Sequence, residues 1–263
     1  MFGFFKIKRP NTCPIPEDNR IWLERSFLLL LDLFGKENTK QRKVLIPHHS
    51  DFPIKYNGDE QTAFETLKIV AGQMEVAYNE IHLDFYDERV KEVSTGSPFG
   101  QGIFLKSAKD DNGAAGLYWG KAEDGKYNIS LVRSKFKQPE SMVATLAHEI
   151  AHIKLLGENR LDKNDEKLTD LATIFFGLGI FNANEAFKTF RGVDYSGWRK
   201  MGYLTQMEWG YALSLFAYIR EEENPGWIKH LTLNIQGDFI QGQNFILANE
   251  ELVFKDAADE NRT

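Results

Sequence analysis

His148, Glu149 and His152 are the residues of this chain whose types and spacing are best suited to chemistry. On an α-helix, positions i and i+4 share one face about a turn apart, so both imidazoles can reach a single ion. Neutral imidazole nitrogen is a good ligand for Zn²⁺, and a reactive zinc centre takes three protein ligands and leaves the fourth position to water. The metal lowers the pKa of that water to about 7, and a neighbouring carboxylate such as Glu149 can take its proton as general base. Two ligands and a base thus lie within the five residues His148-Glu149-Ile150-Ala151-His152.

A third ligand has to come from elsewhere, and Asn164–Leu171 offers carboxylates at helical spacing. Glu166 and Asp170 share one face of the helix expected there, while Leu168, Leu171, Phe175 and Leu178 can bury another. A carboxylate on that helix facing the two histidines would complete the ligand set. The other could accept a hydrogen bond from the free nitrogen of a ligand histidine and hold its tautomer. Zinc accepts Asp as well as Glu, so the spacing leaves both assignments open. Glu158, Asp162 and Asp165 read as solvated turn residues.

His-Glu-x-x-His followed on a second helix by Glu-x-x-x-Asp is similar to the gluzincin metallopeptidases, which include thermolysin-like and CaaX-prenyl-endopeptidase-like enzymes. The resemblance covers about residues 126–180. It implies zinc held by His148, His152 and Glu166, with Glu149 as base and Asp170 supporting a histidine, His148 in the first instance. It also implies an extended peptide substrate paired to the edge of a small sheet, here one strand between 115 and 133. The chain departs from the pattern in two respects. The CaaX-type enzymes are integral membrane proteins, whereas no span is evident here. The interval from His152 to Glu166 is also shorter than in thermolysin-like enzymes, which keeps Asp170 open as the ligand in place of Glu166.

The elements that must position these side chains are legible around them. Lys126–Arg133 alternates and is rich in β-branched and aromatic residues, as a strand requires. Gln138-Pro139-Glu140-Ser141 opens a helix, with Pro139 suited to its first position. Met142, Val143, Leu146, Ile150 and Ile153 make an apolar stripe, while His148 and His152 share a different face with Thr145. Gly157 is the expected stop, which places the motif mid-helix.

Three regions suggest themselves along the chain. Residues 1–75 read as mainly helical, with a helix capped by Asp18 or Asn19 and ended by Gly35. A second helix capped by Asp59 would bury Phe64, Leu67, Val70 and Met74. Residues 76–180 hold the metallopeptidase-like core. Its first part, punctuated by glycines, predicts a small, mostly antiparallel sheet from Ile81–Phe85, Gly102–Lys106, Gly116–Gly120 and the 127–133 strand. Residues 181–263 begin with a long aromatic connection over 181–204 and continue as helices. Thr205-x-x-Glu208 is a capping box, and Asn224-Pro225-Gly226 is a break.

Other residues invite chemical roles of lower rank. Tyr203, just ahead of a helix N-terminus, could offer a hydroxyl to a developing oxyanion. His230 is a further candidate for such a contact. His48 and His49, adjacent on a loop, read as surface residues. Cys13 is the sole cysteine, which excludes an internal disulfide and fits a reducing compartment. A thiolate on zinc could keep such a centre latent, yet a lone cysteine between prolines reads as incidental.

Composition bounds the function. A chain of 263 residues, 42 % hydrophobic, can bury a real core, and a net charge of −6 with pI near 5.6 argues against nucleic acid as partner. The greasiest stretch, Ser26–Phe34, is interrupted by Asp32 and falls far short of the ~20 residues a membrane span needs. No glycine-rich phosphate loop and no leader-like segment is evident, so a cytoplasmic location is expected. The expectation is therefore an α+β, zincin-like protein that uses Zn²⁺ to hydrolyse peptide or amide bonds. The alternatives are a regulatory or binding protein that keeps the metal site without efficient catalysis, and a metal-free structural protein.

Overall fold

The computed structural model describes residues 11–87, 116–191, 196–200 and 202–255. The expected strand at 102–106, the short basic run Lys6–Arg9 and the tail beyond Lys255 lie outside the described residues. The chain divides into two compact units, one formed by Met1–Ile46 with Glu166–Thr263 and the other by Pro47–Asp165. The architecture is α+β.

The first unit opens with α1, Glu17–Phe34, and the short α2, Lys36–Gln41. Pro16 precedes α1, so the helix starts ahead of the expected caps and carries Glu17 and Asp18 in its first turn, where the positive end of the dipole favours them. Gly35 ends it at φ +82°, a conformation cheap only for glycine. Leu23, Phe27 and Leu30 are fully buried, which accounts for the apolar 26–34 stretch as a core face. No helix among the described residues is long and apolar enough to cross a membrane. Glu24 is wholly buried on the same helix. Its carboxylate accepts from Arg20, from the Tyr211 hydroxyl at 2.7 Å and from the Phe254 N–H at 3.0 Å. Burial first, then the Glu24 charge, push the Tyr211 hydroxyl far up, so it remains a donor.

In the second unit, α3 spans Glu60–Gln73 and is capped as expected, Asp59 accepting from the Thr62 N–H at 2.8 Å. Leu67, Val70 and Met74 are buried, but Phe64 stands 37 % exposed and meets Phe85 edge to face instead. Three strands follow: β1 (Ile81–Tyr86), β2 (Gly116–Lys121) and β3 (Tyr127–Val132), in the order β1-β3-β2. β2 and β3 are antiparallel, joined across Ala122–Lys126 with Gly125 at φ +80°. β1 pairs β3 in parallel, Ile81 opposite Tyr127, so this sheet is mixed rather than mostly antiparallel. A parallel pairing needs a long crossover, and the stretch from 87 to 126 that includes β2 supplies it. α4, Pro139–His152, packs on α3 and on the sheet through Met142, Val143, Leu146 and Ile150, with Pro139 in its first turn.

The chain returns to the first unit through α5, Glu166–Phe175, and α6, Gly179–Ala186. The sequence predicts a loose connection from 181, yet Gly179–Ala186 is helical and buried throughout, Asn182, Asn184 and Glu185 included. A side chain at Gly179 would meet Ile174 at 2.8 Å, so the absence of one lets the start of α6 pack closely there. The two-stranded ribbon of β4 (Phe187–Arg191) and β5 (Ser196–Lys200) comes next. α7, Gln206–Ile219, is closed at its start by the Thr205/Glu208 capping box and buries Trp209, Tyr211, Leu215 and Phe216. α8, Leu233–Ala248, crosses α7 closely: Cβ atoms at Gly210 and Gly242 would fall 2.4 Å from Asp238 and 2.5 Å from Ser214.

Candidate metal centre

The C-terminal end of α4 carries the two histidines. His148 is half-buried, while Glu149 and His152 are 5 % and 6 % exposed. Their rings meet edge to face, centroids 4.9 Å apart and planes at 87°, as the four-residue spacing requires. The motif closes the α-helical turns, and the helix runs on as far as Gly157, the expected stop. α-Helical pairing ends at His152, and the backbone continues as a π turn over Ile153–Gly157, with Glu158 N–H closing on the Ile153 carbonyl at 2.8 Å. A π turn widens the helix and re-aims the residues beside it, a device frequent at functional sites. The negative end of the α4 dipole also lies here and favours a cation.

Glu166 is the first residue of α5, an acidic side chain in the turn where the helix dipole is positive. One ligand atom each from His148, His152 and Glu166 all lie within 4.8 Å of one another. Two imidazole nitrogens and a carboxylate oxygen form a donor set that suits zinc and leaves coordination positions open. These residues fit a divalent ion by number, type and spacing.

Asp170, one turn further along α5, is 2 % exposed. Its Oδ2 accepts the backbone N–H of Tyr203 at 2.8 Å and, more weakly, that of Leu204 at 3.4 Å. Gly202, at φ +84°, fits against the same oxygen, which a Cβ would approach to 3.1 Å. Asp170 therefore ties the entry of α7 to α5. Tyr203 is 50 % exposed at that tie.

The remaining sequence candidates stand outside the three-residue cluster. Cys13 is half-buried beside Arg20 and Glu24, and burial raises its thiol pKa, which disfavours a thiolate. His48 and His49 are exposed, and His48 Nδ1 meets Ser50 Oγ at 3.0 Å. His230 lines a cleft with Val44, Ile46, Arg220, Trp227 and Lys229, and its carbonyl accepts from Asn184 at 2.8 Å.

Tyr118 is the contact that the sequence does not announce. Its ring lies flat on His152, planes 10° apart and centroids at 5.7 Å. Burial first, and then Tyr127, push its hydroxyl up to about 12, so it stays a neutral phenol. The only signal in the sequence is an aromatic residue in a short strand. Family models, curated proteins and solved structures were compared with this chain, and none matches it.

Proposed function

We propose that this chain is a zinc-dependent hydrolase of peptide or amide bonds, gluzincin-like in its ligand set. The observation that carries the proposal is the mutual approach of His148, His152 and Glu166 within 4.8 Å, beside a buried Glu149. Zinc, when bound, supplies Lewis-acid polarisation of the scissile carbonyl and makes the attacking water acidic enough to ionise near neutral pH. His148, His152 and Glu166 hold it. Glu149 accepts the proton of the attacking water and delivers it to the leaving amine, so one carboxylate serves as base and then acid.

β2 supports a peptide substrate. Among the described residues it pairs only with β3, and no other described strand lies along its second edge. An extended peptide can add there, its main chain supplying affinity and its side chains selectivity.

The test combines metal analysis with turnover, on protein purified without a polyhistidine tag. Near-stoichiometric zinc and chelator-sensitive cleavage of an unfolded protein substrate are expected. Glu149→Gln should keep the zinc and lose at least about 10²-fold in rate. Zinc without turnover would favour a regulatory protein, and absence of zinc would overturn the proposal.

A further inference from the structure

We propose that Tyr118 is a positioning residue for this centre, holding the His152 imidazole in the orientation that metal binding needs. The inference rests on the zinc reading of His148, His152 and Glu166. An imidazole turns about a broad, soft terminal torsion, so a ligand histidine needs something to fix its ring plane. Packing does so here from two sides. The Tyr118 ring lies parallel to His152 at 10°, while His148 meets it edge-on at 87°. Rotating His152 about its ring torsion would lose the flat contact with Tyr118 and disturb the edge contact with His148.

Tyr118 is itself backed. Tyr127 from the central strand lies 6.4 Å from it, centroid to centroid, and donates its hydroxyl to the Gly157 carbonyl at 3.2 Å. Gly157 closes the π turn that begins after His152. A Cβ there would stand 2.7 Å from the Tyr127 ring and 3.0 Å from the Tyr118 hydroxyl. Gly157 has no positive φ, so close approach to the two tyrosines is what calls for glycine. The turn after the motif, two strands and one ligand thus form a single packed stack within Pro47–Asp165. The arrangement also links β2 to His152 through one ring.

The test uses the full chain, untagged, in four forms: wild type, Tyr118→Phe, Tyr118→Leu and Gly157→Ala. Zinc affinity is read by competition with a chromophoric chelator, and ligand geometry by the visible absorption of the cobalt-loaded protein. Tyr118→Phe keeps the ring and should bind zinc within about twofold of wild type, whereas Tyr118→Leu should bind about three- to tenfold more weakly. Its cobalt bands should shift, which a purely structural loss would not cause. Gly157→Ala reaches the stack from the opposite side and should move affinity and spectrum the same way. Wild-type affinity and bands in both Tyr118→Leu and Gly157→Ala would overturn the inference and leave the zinc reading standing. Failure of the wild type itself to bind zinc would overturn both.

Discussion

The backbone N–H of Tyr203 donates to the buried carboxylate of Asp170 at 2.8 Å, fastening the start of α7 to the turn of α5 that follows Glu166. Asp170→Ala would leave the Tyr203 and Leu204 donors without that acceptor and should cost about 2–3 kcal/mol of stability. Asp170→Asn keeps a carbonyl oxygen and should cost less. Urea denaturation of both variants measures this. With Asp170 acting as an anchor, Asp170→Asn should also retain near-stoichiometric zinc.

Removing Glu166 should have the opposite profile. Its side chain sits at the favourable end of α5 and belongs to the cluster of possible ligands. Glu166→Ala should lower zinc affinity by more than the ~10–100-fold typical of losing a supporting residue, while metal-free stability changes little. Competition with a chelator, set beside a metal-free melting curve, separates the two effects. Zinc retained by Glu166→Ala and lost by Asp170→Asn would reverse the roles of these carboxylates.

α7 and α8 should be sensitive to a single methyl group. A Cβ at Gly210 would fall 2.4 Å from Asp238 Cβ and 2.9 Å from its backbone carbon, neither of which can swing aside. At Gly242 the nearest atom is the Ser214 hydroxyl oxygen, at 2.5 Å, and that oxygen can rotate away. Gly210→Ala should therefore destabilise by about 1–3 kcal/mol and Gly242→Ala by less, as read from denaturation midpoints.

The capping box of α7 should make stability depend on pH. Burial acts to raise the Glu208 pKa, but hydrogen bonds from Thr205 and the charge of Lys167 together hold it below its usual 4.5. Asn19 and Lys167 also donate to its Oε1, at 2.8 and 3.2 Å. A carboxyl with a depressed folded pKa stabilises the protein fully above its unfolded pKa, and that contribution disappears as pH falls through the folded value. Stability should thus drop below about pH 4.5. Glu208→Gln should be less stable than wild type at neutral pH and show a shallower acid slope in urea midpoints.

Where neighbours in sequence decide, the structure can be read from the chain. Pro139 and the 142–150 stripe announce α4, Asp59 announces α3, and Thr205 with Glu208 announces α7, because caps and stripes act within one or two helical turns. Gly179 shows where such reading stops. A glycine after a helix reads as punctuation, but here it lets α6 approach Ile174, and nothing local encodes that neighbour. The parallel pairing of Ile81 with Tyr127 is likewise a matter of where a long connection leads.

The sequence by itself determined the chemistry on offer: two imidazoles and a carboxylate in five residues, with further acids at helical spacing downstream. Covalent spacing on a helix is enough to put His148 and His152 on one face. Only the tertiary structure decided that Glu166 joins them, that Asp170 holds Tyr203, and that Tyr118 lies against His152. Each of those depends on packing between segments remote in the chain, and packing is a property of the whole core rather than of any local run of residues.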